Sequence, residues 1–218
     1  MSKYILKFEK DDSVKFVSHL DLIRVFDRAM RRAKLPMGYS QGFNPHPLMT
    51  FAHPLGVGVA SCAELVEMTT SEQVKPLVLK ERLNAAMPSG FEITAVKEIE
   101  GKNNFARLNS ADYAIRIEGE LPDGSLERHF RGLTEMKVDK KTKSGVKETD
   151  IKPFILSFKE VAPGMLNVRL KTGAENLKPE LMITGLEKYI PGFKPERVLI
   201  LRTCLLDGEG EPLFQEEK

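Results

Sequence analysis

Apolar and polar residues alternate along 3–9 (KYILKFE), which predicts a half-buried strand with Tyr4, Leu6 and Phe8 on one face. Ser18 then stands where a helix cap belongs, with Asp21 three residues on in an approximate capping-box position. Pro36 sets a stop after about Leu35. At helical periodicity Leu22, Val25, Phe26, Ala29, Met30 and Ala33 form one apolar stripe, and Arg24, Arg28, Arg31 and Arg32 gather on the opposite face. After a loop over 38–47 come extended runs at 48–53 (LMTFAH) and 63–69 (AELVEMT), a helical run at 72–87 and a strand at 91–99 (FEITAVKEI). The order β-α-β-β-α-β is the split pattern of a ferredoxin-like fold, an antiparallel sheet with helices packed on one face.

A less regular second pass follows: strand 112–118, a helical piece near 124–136, a charged hairpin across 137–150, strand 165–171, helix 177–190 and strand 197–206. It reads as a degenerate copy. The expected organisation is α+β, with two ferredoxin-like halves over 1–103 and 104–218 that join near Gly101-Lys102-Asn103-Asn104. Fusion of the two sheets into one body is the alternative.

Composition narrows the function classes. The 41% hydrophobic and 29% charged content excludes a wholly disordered chain. Lys+Arg number 33 against 31 Asp+Glu, so any case for a polyanionic partner has to be local. Only Cys62 and Cys204 are present, without neighbours at metal-ligand spacing, so neither a disulfide framework nor a metal is expected. No stretch approaches the roughly 18 apolar residues of a membrane span and no signal-like segment opens the chain, so the expected location is the cytoplasm. Gly56-Val57-Gly58-Val59 lacks the third glycine and the strand-helix context of a dinucleotide fingerprint, and no cofactor is expected.

The local candidates are basic and aromatic. Guanidinium groups at Arg24, Arg28, Arg31 and Arg32 can address successive phosphates with forked donors. The plainer alternative is a solvated helix face, partly neutralised by Asp21 and Asp27. In the loop, Tyr39 and Phe43 offer faces for base stacking, and Gln41, Asn44 and His46 offer groups for base edges. The alternative there is a rigid connector in which Tyr39 and Phe43 plug the core. His19 and His46, with Asp21, are the weak candidates for acid–base cleavage of RNA; His53 and His129 rank below them. Five lysines, Lys137, Lys140, Lys141, Lys143 and Lys147, surround a Thr142-Lys143-Ser144-Gly145 turn, as in a mobile hairpin tip that touches phosphate non-specifically; the plainer alternative, which the pattern favours, is a solvated hairpin. The breaker-rich acidic tail from Glu209 to Lys218 is expected to fray and says nothing about chemistry.

Residues 16–61 carry three linked signatures: Ser18-His19-Leu20-Asp21 at the helix start, Arg28-Ala29-x-Arg31-Arg32-Ala33 at its end, and Ser40 through Pro47 in the loop. In these the chain resembles a bacterial domain-of-unknown-function family described as radical SAM-linked. Ser61 and Glu64 extend the likeness, and weaker matches at 150–154 and 178–181 carry it into the second half. The resemblance implies a partner that is a radical SAM protein, and gene neighbourhoods that point toward RNA or the ribosome. Radical SAM enzymes hold an iron–sulfur cluster on closely spaced cysteines, which Cys62 and Cys204 do not provide, so this chain would be the companion. Paired ferredoxin-like halves are also similar to those of tRNA pseudouridine synthases and CRISPR repeat-processing endonucleases, a likeness of fold alone.

Three readings follow. In the first, the chain is an RNA-binding accessory or substrate adaptor that grips structured RNA and presents it to a separate radical SAM enzyme. In the second it is a stand-alone RNA-processing or RNA-modifying enzyme using His19, Asp21 and His46. In the third it is a protein-only adaptor that docks on the radical SAM partner.

Overall fold

The structure, a computed structural model, describes residues 1–142 and 145–215. The anticipated turn at Lys143-Ser144 and the acidic end Glu216-Glu217-Lys218 lie outside the described residues. The chain is mixed α+β, with antiparallel strand pairing and four α-helices among the described residues. It divides into two compact units, Met1–Leu108 with the chain from Glu211 onward, and Asn109–Gly210.

The first unit runs β1 (Ser2–Lys10), α1 (His19–Arg32), β2 (Met49–Phe51), β3 (Ala60–Thr70), α2 (Pro76–Ala86) and β4 (Phe91–Ile99). β1 lies between β3 and β4, and β2 joins β3, giving the order β4-β1-β3-β2. Alternation sends Tyr4, Leu6 and Phe8 of β1 to one face, opposite Met68 and Val66 of β3 and beside Ile93 of β4. Onto that face α1 packs Leu22, Phe26, Ala29 and Met30, and α2 packs Leu79 and Leu83. Each fully buried Leu, Ile, Val, Phe or Met side chain here contributes roughly 1.5–3 kcal/mol.

α1 ends at Arg32, earlier than Pro36 requires. Lys34 takes a left-handed backbone (φ 51°), and the N–H groups of Lys34 and Leu35 donate back to the carbonyls of Arg31 and Met30 at 3.0 and 3.1 Å. This is a Schellman ending, which terminates the helix before the proline can act. α2 starts at Pro76 and not at 72, because proline supplies a ready-made first helical position.

The second unit runs β5 (Leu108–Glu120), α3 (Leu126–Gly132), β6 (Lys137–Thr142), β7 (Gly145–Asp150), β8 (Ile155–Ala162), β9 (Met165–Lys171), α4 (Pro179–Tyr189) and β10 (Lys194–Asp207). Its strands follow the order β10-β5-β9-β8, and β6 and β7 form a separate two-stranded ladder. The helical piece near 124–136 shortens to seven residues, capped by the Ser125 hydroxyl on the Arg128 N–H at 3.1 Å. β8 is an addition to the expected elements. Register shifts at Ile155/Ser157 and Glu160/Ala162 break its period of two, and Leu156 and Val161 are exposed, so no clean alternation appears in the sequence. Among the described residues no helix is long and apolar enough to cross a membrane, which says nothing of strands.

Candidate functional site

The Ser18-to-Ala33 signature is placed by a buried cation. Lys10 falls on the same face of β1 as Phe8, is 1% exposed, and donates from Nζ to the carbonyls of Lys15 (2.8 Å) and Val17 (3.0 Å). It thereby fixes the segment that delivers Ser18 to the start of α1. The Ser18 hydroxyl accepts from the Asp21 N–H (3.2 Å) and donates to Asp21 Oδ2 (2.7 Å). Arg24 donates to Asp21 Oδ1 at 2.8 Å. The Ser18 hydroxyl, and next the Arg24 guanidinium, hold the Asp21 carboxyl below the usual carboxylate range.

The four arginines do not form one free face. Arg24 is paired with Asp21, and Arg31 donates from Nε to Asp27 Oδ2 at 3.0 Å. Arg32 turns from α1 to the last carbonyl of α2, Ala86 O. In return Arg82 of α2 donates to Ala33 O and Lys34 O at the end of α1. Two helix C-termini are thus closed by each other's cations, a placement the macrodipole favours. Arg28 is exposed and has no hydrogen bond or ion pair among the described residues.

The loop from Pro36 to Pro47 is anchored at its root and open at its tip. Met37 and Tyr39 form bridges to Thr70 and Pro47, and Gly38 donates to Thr69 O at 2.8 Å. A Cβ on Gly38 would lie 3.0 Å from that same Thr69 oxygen, so any larger residue would have to push that backbone back by a few tenths of an ångström. The Tyr39 hydroxyl donates to Asp27 Oδ1 (3.1 Å), and the Arg31 guanidinium lies over the Tyr39 ring at 5.7 Å. Burial, and next the bond to Asp27, raise the Tyr39 phenol above its ordinary value. Ser40 closes the neck: its N–H donates to His46 O (2.8 Å) and its Oγ accepts from the His46 N–H (2.9 Å). Beyond this neck Gln41, Phe43, Asn44 and His46 are exposed, Phe43 fully so at 107%. The alternative in which both aromatics plug the core holds for one of them: Tyr39 packs against it and Phe43 does not.

His19, the first residue of α1, sits edge-on to Phe51 (5.2 Å between centroids), itself packed on Phe8 and Phe26. Its Nδ1 is buried without a hydrogen-bond partner. His129 is structural, 2.9 Å from Asp123 O through Nε2. Among the described residues no group of three or more His, Cys, Asp or Glu is placed to hold a metal ion. Sequence reasoning missed Lys10 and Arg82. For Lys10 the signal was present, since the alternation that puts Tyr4, Leu6 and Phe8 inward also puts position 10 inward.

Solved structures resemble the chain at low identity. One, titled "Crystal Structure of a Cbf5-Nop10-Gar1 Complex", shows 10% identity and a TM-score of 0.48 over 93% of this chain and 48% of that chain. This chain therefore spans about half the length of that one. A second, an unknown protein from Galdieria sulphuraria, shows 12% identity and a TM-score of 0.29 over 92% and 98% of the two chains. No curated protein matches the sequence. Residues 3–179 match the family described as "Uncharacterized protein conserved in bacteria (DUF2344)", and the chain belongs to that family.

Proposed function

We propose that this chain is an RNA-binding accessory or substrate adaptor that acts with a separate radical SAM enzyme on tRNA, rRNA or the ribosome. In this reading each unit is a ferredoxin-like half. The orders β4-β1-β3-β2 and β10-β5-β9-β8 are the same permutation once β6 and β7 are set aside as an insertion. The observation that carries the proposal is the loop: a stitched neck holds a fully exposed Phe43 among Gln41, Asn44 and His46. Leaving a phenylalanine in water forgoes roughly 1.5–3 kcal/mol of burial, and a presented ring with polar groups beside it suits an unstacked base. Arg28 supplies an exposed cation on α1.

The test is binding of the purified protein to bulk tRNA across a salt series. Phe43→Ala is expected to weaken binding about 5- to 150-fold, the range for a stacking contact of about 1–3 kcal/mol. Arg28→Ala, which removes no ion pair of the described structure, is expected to lower the salt slope by about 1. Absence of binding at low salt overturns the proposal. Two groups needed by the stand-alone enzyme reading are otherwise engaged: the His19 ring is packed on Phe51 and the Asp21 carboxylate is held by Ser18 and Arg24. RNA turnover by the isolated protein would replace binding with that reading.

A protein-docking role has one observation in its favour. Phe16 and Leu20 are exposed at the start of α1, and Val57 is exposed beside Gly58, whose N–H donates to Lys15 O at 2.9 Å. Apolar side chains of this kind fit a protein surface and not a phosphate. Co-purification with a radical SAM protein that survives nuclease treatment is the expected result for this surface.

A further inference from the structure

The second unit holds a concentration of cations that its own fold does not neutralise. In the β6–β7 ladder Lys140 stands directly opposite Lys147, a like-charge pair on one face that weakens the hairpin. The Lys140 ammonium lies 5.5 Å from the centroid of the Phe154 ring, and the Lys171 ammonium of β9 lies 5.6 Å from the same centroid. One aromatic ring thus gathers cations from two separate sheets. Compensation is partial. Lys171 meets the Glu175 carboxylate at 2.6 Å, but Lys140 donates to a neutral acceptor, Asn176 O, at 2.7 Å. Lys147 is exposed and has no ion pair among the described residues. The acidic pair Asp139 and Glu148 lies on the other face of the hairpin, because alternation sends it opposite to Lys140 and Lys147. Of these three lysines only Lys171 has a carboxylate ion pair among the described residues.

We propose that Lys140 and Lys171, gathered at Phe154, together with Lys147 opposite Lys140 in the ladder, form a phosphate-contact site for an RNA backbone, separate in sequence and unit from the loop tip at Phe43. The site deepens the RNA-binding reading and rests on it. Its chemistry is that of point charges without a directional code: ammonium groups neutralise phosphates and release their counterions, contributing affinity without sequence preference. A phosphate bound there would offset the like charge of the Lys140–Lys147 pair.

The experiment measures binding of a 20-nucleotide RNA hairpin across a salt series by wild type, Lys147→Gln/Lys171→Gln, Lys147→Arg/Lys171→Arg and Phe43→Ala, each checked by thermal melting. Lys140 is left in place because it secures Asn176. The double glutamine variant is expected to lower the salt slope by about 2, near 1 per lysine, and the double arginine variant to retain the wild-type slope. If Phe43→Ala weakens binding while the glutamine variant keeps the wild-type slope, the lysine site is overturned and the loop reading stands. If the glutamine variant lowers the slope and Phe43→Ala changes nothing, the lysine site stands and the tip loses its role. No binding by wild type at low salt overturns both.

Discussion

Asp27 joins two groups through its two oxygens, Tyr39 in the loop and Arg31 on its own helix, and the cation–π contact of those two packs the neck against α1. Such closed local networks help to order the site. The Asp21 carboxyl is another, and its lowered pKa has a defined sign. Its stabilising contribution is complete above the ordinary aspartate value of about 3.9 and is lost as pH falls through the lower folded value. In Ser18→Ala the Asp21 titration followed by carbon NMR is expected to move back up, and the lost cap to cost about 0.5–2 kcal/mol in denaturant melts. An unmoved midpoint would assign the shift to Arg24. Lys34, left-handed at φ 51°, offers the opposite change: Lys34→Gly is expected to raise stability by about 0.5–1 kcal/mol. At this scale the sequence was legible where partners are close. Ser18 and Asp21 are three apart, whereas Arg32 and Arg82 find their acceptors 54 and 49 positions away, beyond any local pattern.

β4 pairs with β1 and would otherwise present bare backbone on its far side. α2 occupies part of that edge: Asn84 takes the Ile93 N–H at 2.7 Å and gives to its carbonyl at 2.9 Å, and Lys80 gives to Thr94 O at 2.6 Å. A side-chain amide here does the work of a neighbouring strand, and guarding an edge in this way opposes strand-to-strand association. Asn84→Ala is expected to cost about 1–3 kcal/mol in chemical denaturation and to produce concentration-dependent association by sedimentation. Stability equal to wild type would mean that water replaces the amide without penalty. The elements of the first unit were readable because each keeps one period throughout; α1 is the clearest case, with its stripe from Leu22 to Met30. β8 was not, because two bulges reset its alternation within eight residues. The loop was legible in composition alone: nothing in its sequence distinguishes Tyr39, held by Asp27, from Phe43, held by nothing.

The first unit draws residues from both ends of the described chain. Leu213 is buried, and its carbonyl accepts from Asn104 Nδ2 at 2.8 Å, so a segment that follows the whole second unit in sequence completes the first. Leu213→Ala is expected to cost about 2–5 kcal/mol, with amide-exchange protection lost around Leu83 and Ile93 and retained at Val168 and Leu170. Equal losses at both sets of amides would show that the units unfold as one. The expectation that this tail frays is corrected at Leu213: Glu211-Pro212-Leu213-Phe214 reads as breaker-rich, and only its contacts reveal the return and its anchoring leucine. The same return governs how the molecule is made. A ribosome adding about 5–20 residues per second delivers Leu108 long before Leu213, so for roughly 5–20 s the nascent first unit lacks its closing segment while the second is still being synthesised. The half that carries the loop and the signature helix is begun first and finished last.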